Sequence, residues 1–155
     1  MVPGTGIVLH NRGALYSLDS SHANVVAPGK RPYHTLSPAM VFRPDSAIYM
    51  VLGTPGGDGQ PQTLLQVLNN HLLFGMTPQQ SVDAPRWRWL GGKRLSVEPG
   101  IADNSRATLK QRGHEVRVRP PGAEFGGAQM IVVERETGVR RTGADPRREA
   151  YGIAW

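Results

Sequence analysis

The chain has 155 residues, 39% of them hydrophobic, enough for one sizeable core, and no shift in composition divides the single domain expected over residues 1–155. It contains no cysteine, which excludes disulfides, thiolate metal sites and a cysteine nucleophile. The net charge of +6 comes from arginines spread through residues 86–94, 106–119 and 135–148, without exposed aromatic interleaving or a helix-turn-helix pattern, so it licenses non-specific attraction to polyanions and no specific nucleic-acid partner.

No apolar run is long enough to span a bilayer, and Met1-Val2-Pro3-Gly4 lacks the basic and apolar regions of a secretory signal, so the sequence reads as soluble with its compartment open. His10, His22, His34, His71 and His114 fall in no metal-ligand spacing, and the lipase and P-loop motifs are missing. No metal or other cofactor is called for.

In chain order, residues 7–10 are a strand candidate, followed by a polar stretch to Pro38 too long for a turn and placed as a specificity loop or a partner-covered one. Residues 39–42 and 47–52 read as a hairpin. The second strand is a continuous apolar run, which predicts a sheet covered on both faces. Leu64, Leu65, Leu68 and Leu72, widened by Val67 and Leu73, predict an apolar helical stripe over residues 61–74, ended by Gly75.

Thr77, Pro78 and Gln80 predict a capping box that opens a short helix to residue 84, stopped by Pro85. Trp87 and Trp89 share one side of an extended segment, as core or subunit-interface residues. Strands follow over 95–98, 114–119, 129–134 and 139–142, with a third helix over 102–112, so the class is α+β.

Residues 53–63, Gly-Thr-Pro-Gly-Gly-Asp-Gly-Gln-Pro-Gln-Thr, form a glycine-rich bend between the apolar strand and the first helix. Gly56 and Gly57 carry no Cβ to block a close approach, and a helix N-terminus follows, so the bend suits an anion or a developing oxyanion. On local sequence alone it equally fits a tight connection without a ligand.

Gly4-Thr5-Gly6-Ile7, Asn11-Arg12, Ala27-Pro28-Gly29-Lys30-Arg31-Pro32, Leu36-Ser37-Pro38, Pro55-Gly56-Gly57, Asp83-Ala84-Pro85-Arg86, Val97-Glu98-Pro99-Gly100 and Asp145-Pro146-Arg147 are eight collinear segments. In order and spacing they resemble the small subunit of the γ-glutamyltransferases, from about Pro3 to Trp155. The resemblance implies the αββα sandwich of the N-terminal-nucleophile hydrolases, in which a precursor cuts itself into a large and a small subunit. It also implies a threonine nucleophile leading the small subunit, its own α-amino group acting as base. That threonine falls upstream of Gly4, in a stretch this chain does not contain, so the chain reads as the carboxy-terminal portion of a small subunit. Its partners would be the rest of the precursor and a small γ-glutamyl or related amide substrate.

By the same resemblance, Gly56 and Gly57 are the paired oxyanion donors. Arg12 stands where the family commonly carries glutamine or glutamate, and Leu15 where it carries an aspartate that binds the substrate ammonium. Leu15 cannot accept a hydrogen bond from an ammonium and Arg12 would repel one. His34-Thr35 takes the place of a serine pair that holds the substrate carboxylate, and His34 equally fits a satisfied loop histidine. Asp83, Arg86, Asp145 and Arg147 match recurring positions, and their charges suit structural pairing at loop ends more than catalysis. An acylase or amidase with another acyl group, or a non-catalytic domain that only assembles, are the alternatives.

Overall fold

The computed structural model describes residues 1–153. The chain falls into two compact units, Met1–Thr35 and Leu36–Trp155. The first has one 3₁₀ turn, Arg12–Leu15, and an isolated parallel bridge between Ser17 and Val25. The strand expected over residues 7–10 does not form. A strand exists only with a neighbouring strand for its N–H and C=O groups; Ile7, Val8 and Leu9 stand exposed, and Ile7 instead makes turn bonds, its carbonyl accepting from Val2 N–H at 2.8 Å and its N–H donating to Thr5 Oγ1 at 3.2 Å.

The second unit carries two sheets. Strands β1 (Ala39–Phe42) and β2 (Ile48–Gly53) make the expected hairpin. Its tip holds Ser46 at φ 66°, with Ala47 N–H donating to Asp45 Oδ1 at 3.1 Å. With β6 (Gln129–Val133) and β7 (Arg140–Ala144) they form an antiparallel sheet in the order β1-β2-β6-β7. A second sheet joins β3 (Trp87–Trp89), antiparallel, and β5 (Glu115–Val118), parallel, to the central β4 (Arg94–Val97). Helix α3 (Asp103–Gln111) makes the crossover that the parallel pair requires.

Helices α1 (Gln60–Leu72) and α2 (Pro78–Asp83) cover one face of the larger sheet. Met50, Leu52, Met130 and Val132 point from that face into a core shared with Leu64, Val67, Val82 and Ala128. The buried face of α1 is Gln60, Thr63, Leu64 and Val67. The leucine stripe is therefore rotated from the expected one: Leu65, Leu72 and Leu73 are exposed.

On the opposite face Gly152 lies against Thr142, and the rest is open among the described residues, against the expectation of cover on both sides. A row of Met40, Val51, Ile131 and Thr142 crosses all four strands there, with Met40 57% and Ile131 41% exposed. The apolar character of β2 thus reflects two faces of which this chain covers one. Helix α2 realises the predicted capping box, Gln80 N–H donating to Thr77 Oγ1 at 3.3 Å and Thr77 N–H to Gln80 Oε1 at 2.9 Å. No described helix is long and apolar enough to cross a membrane.

Candidate active site

The bend lies where β2 ends and α1 begins. Gly56 takes φ 147° and Gly57 φ 56°, followed by a single 3₁₀ turn, Gly57–Gly59, whose Gly59 N–H returns to the Gly56 carbonyl at 3.0 Å. Among the described residues, no acceptor takes the N–H of Gly56 or Gly57. No side chain caps α1; Gly59 N–H and Gln60 N–H are taken by the Gly56 and Gly57 carbonyls and Pro61 carries no N–H, so the helix contributes the field of its dipole rather than free donors. Two adjacent glycine N–H groups without an acceptor among the described residues, ahead of a helix N-terminus, are an arrangement that can take an anionic oxygen.

A second glycine pair, which sequence reading did not single out, underlies this bend. Gly126 has φ 85°, and a Cβ there would come within 2.6 Å of Thr54 Oγ1, 3.1 Å of Thr63 Oγ1 and 3.2 Å of the Pro55 carbonyl. Glycine alone lets the 126–127 backbone close on the bend. Gly127 N–H then donates to Thr54 Oγ1 at 3.0 Å, Thr54 donates to the Pro55 carbonyl at 2.8 Å, and Thr63 donates to the Phe125 carbonyl at 3.2 Å.

That loop is in turn fixed by buried ions. Arg86 and Asp145, each 1% exposed, pair at 2.6 Å, and Arg86 Nη1 also donates to the Phe125 carbonyl at 2.9 Å. Asp145 Oδ2 accepts from Ala128 N–H at 2.7 Å. Arg147 bridges Asp145 at 3.0 Å and Glu98 at 2.5 Å, and reaches the Val82 and Ala84 carbonyls at the end of α2. Burial pushes the Asp145 carboxyl up, but the N–H donors of Arg147 and Ala128 and the charge of Arg86 outweigh it and hold it below the ordinary carboxylate value. Burial likewise pulls Arg147 down, and its bonds to Glu98 and Asp145 reverse that, leaving it raised.

The pairing expected of Arg86, Asp145 and Arg147 is present, with Glu98 as the fourth member. Asp83 stands apart, accepting from Gln79 at 2.8 Å. Trp87 and Trp89 are exposed in β3 and belong to no core.

Arg12, His34 and Thr35 lie in the first unit: Arg12 half-buried in the 3₁₀ turn, His34 exposed, Thr35 half-buried. Arg12 N–H donates to His10 Nδ1 at 3.1 Å. Asn24 ties their neighbourhoods together, donating to the Leu15 carbonyl at 2.7 Å and accepting from Tyr33 N–H at 3.0 Å. This organising asparagine also escaped sequence reading.

The family model for Gamma-glutamyltranspeptidase matches residues 1–155. The chain belongs to that family. It is 39% identical over 154 residues to the glutathione hydrolase-like YwrD proenzyme of Bacillus subtilis, covering 96% of this chain and 29% of that protein. It is also 39% identical over 152 residues to the oxamate amidohydrolase proenzyme of Klebsiella pneumoniae, covering 95% of this chain and 29% of that protein. The cephalosporin acylase structure from Bacillus halodurans superposes with a TM-score of 0.90 at 41% identity, covering all of this chain and 29% of that one. The γ-glutamyltranspeptidase-family chain thus spans under a third of the length of the curated relatives it matches. Its α+β fold is that of the N-terminal-nucleophile hydrolases.

Proposed function

We propose that this chain supplies the oxyanion hole of a complete amide-cleaving enzyme, in which a threonine nucleophile from the same precursor attacks the substrate carbonyl. The acyl-enzyme then passes its acyl group to water or to an amine. The observation that carries the reading is the pair of unsatisfied N–H donors on Gly56 and Gly57. As the carbonyl becomes tetrahedral, its oxygen gains the charge these donors favour, and losing one such donor typically costs about 10²–10³ in kcat.

The acyl donor in this proposal is an amide not held by an α-ammonium. Leu15 offers no carboxylate to an ammonium, and the Arg12 guanidinium repels one. The similarity to an oxamate amidohydrolase and a cephalosporin acylase supports an acylase or amidase over a dedicated glutathione hydrolase. We assign Arg12, His34 and Thr35 to donor recognition on the family resemblance of their loops.

The test compares γ-glutamyl and des-amino glutaryl anilides with the complete processed enzyme. The glutaryl donor should be turned over at least as well as the γ-glutamyl one. Leu15→Asp with Arg12→Gln should improve γ-glutamyl turnover selectively, by about tenfold to hundredfold in kcat/KM, the equivalent of one charge-assisted hydrogen bond. A parent enzyme that strongly prefers the amino-bearing donor, with that preference untouched by the double substitution, would overturn this assignment.

A further inference from the structure

Two donors on a glycine bend are useful only if the bend is held still, and glycine contributes least to that rigidity. Gly126 supports it from one side. On another side stands Arg88, at the middle of β3. Its guanidinium lies against the Cα of Gly59: a Cβ there would sit 3.0 Å from Cζ, 3.2 Å from Nε and 3.3 Å from Nη1. Nη1 donates to the Glu124 carbonyl at 2.7 Å. One side chain therefore spans from the turn Gly57–Gly59 to the 3₁₀ turn Ala123–Phe125 that precedes the supporting glycines.

The backbone of Arg88 is itself fixed to α1. Gln62 exchanges two hydrogen bonds with the main chain of Trp89, at 2.7 and 3.3 Å, and Gln66 exchanges two with that of Trp87, both at 2.9 Å. The two glutamines, one helical turn apart, thereby act as the missing neighbour strand along the free edge of β3. Among the described residues no carboxylate forms an ion pair with Arg88.

We propose that Arg88 is a positioning residue for the oxyanion donors: it locks Gly59, and the Gly59 N–H to Gly56 carbonyl hydrogen bond fixes the Gly56–Gly57 peptide plane and with it the direction of the Gly57 N–H. This rests on the reading of the bend as an oxyanion hole. Gly59 is then glycine because the guanidinium occupies the space of its Cβ.

The experiment uses the complete processed enzyme with Arg88→Met, Gly59→Ala, the double variant, and Arg94→Met as a matched control, since Arg94 also bonds only turn carbonyls, at Leu90 and Gly91. With the glutaryl anilide, Arg88→Met should lower kcat about tenfold to hundredfold while KM stays within twofold. The inhibition constant of a boronic-acid analogue of the same donor, which forms a tetrahedral adduct, should rise by the same factor. Gly59→Ala should mimic the loss, and the double variant should lose no more than either single one.

Unchanged kcat in Arg88→Met, a loss confined to KM, an equal loss in Arg94→Met, or additive losses in the double variant would overturn the proposal. Amide hydrogen exchange at Gly59 decides the bracing without activity. Its protection should fall at least tenfold in Arg88→Met while Leu64 and Val67 amides are unaffected. Unchanged Gly59 protection would overturn the role of Arg88 even if the wild-type enzyme proved to cleave no amide, a result that by itself would refute only the proposed reaction.

Discussion

Gly56 and Gly57 require glycine to different degrees. At φ 147° and ψ 7°, Gly56 occupies backbone space that side chains avoid strongly, whereas φ 56° at Gly57 is the left-handed region that asparagine tolerates. Gly56→Ala should therefore destabilise the assembled enzyme by about 1–3 kcal/mol, while Gly57→Asn should cost less than half as much. Urea denaturation monitored by tryptophan fluorescence checks the ranking, and equal losses would mean the bend relaxes around a side chain. Gly126→Ala should exceed both losses in the same denaturation, since its methyl group would displace Thr54 and the Pro55 carbonyl beneath the bend. The bend itself was legible from sequence because four glycines and a proline stand between an apolar strand and an apolar helix. Gly126 was not, because its constraint comes from Thr54 and Thr63, more than sixty residues away in sequence.

Among the elements, those governed by local chemistry match their sequence reading, and those governed by partners do not. The capping box of Thr77 and Gln80 is a contact within one turn and forms as predicted. Residues 7–10 carry the β-favouring run Ile-Val-Leu, yet only residues 115–118 find a neighbouring strand, Arg94–Val97. Glu98 joins the ion cluster through contacts made 49 residues away at Arg147, so no spacing rule could nominate it. That cluster binds α2, the 125–128 segment and the start of β3 into one block, and removing one partner leaves an uncompensated buried charge. Arg147→Met should accordingly cost about 3–5 kcal/mol. The depressed Asp145 carboxyl sets the sign of the pH response. Its stabilisation is fully present above its unfolded value, about 3.9, and is lost as pH falls through its lower folded value. Urea midpoints measured from pH 6 to pH 2.5 should fall more steeply at the acid end for the wild type than for Asp145→Asn. Parallel profiles would show that other carboxylates carry the acid response.

At the scale of the whole molecule, the four-stranded sheet has one face packed by helices and one face largely bare, crossed only near Thr142 by residues 151–153 among the described residues. On the bare face, Val51, Ile131, Thr142 and Tyr151 line a groove of about 430 Å³. Strands β1 and β7 leave both sheet edges unpaired among the described strands. Expressed alone, the 155-residue chain should self-associate through this surface and, under the proposed reading in which the rest of the precursor supplies the threonine, show no γ-glutamyl or glutaryl turnover. Analytical ultracentrifugation showing a sharply melting monomer would contradict the first expectation, and turnover by the purified chain the second. The central claim is that Gly56 and Gly57 receive the oxyanion. It is tested most directly by a crystal structure of the complete processed enzyme carrying a boronic-acid analogue of its donor on the nucleophilic threonine. A tetrahedral oxygen about 2.7–3.1 Å from both glycine nitrogens is the predicted result; an adduct oxygen directed to other donors, with both N–H groups left to water, would contradict it.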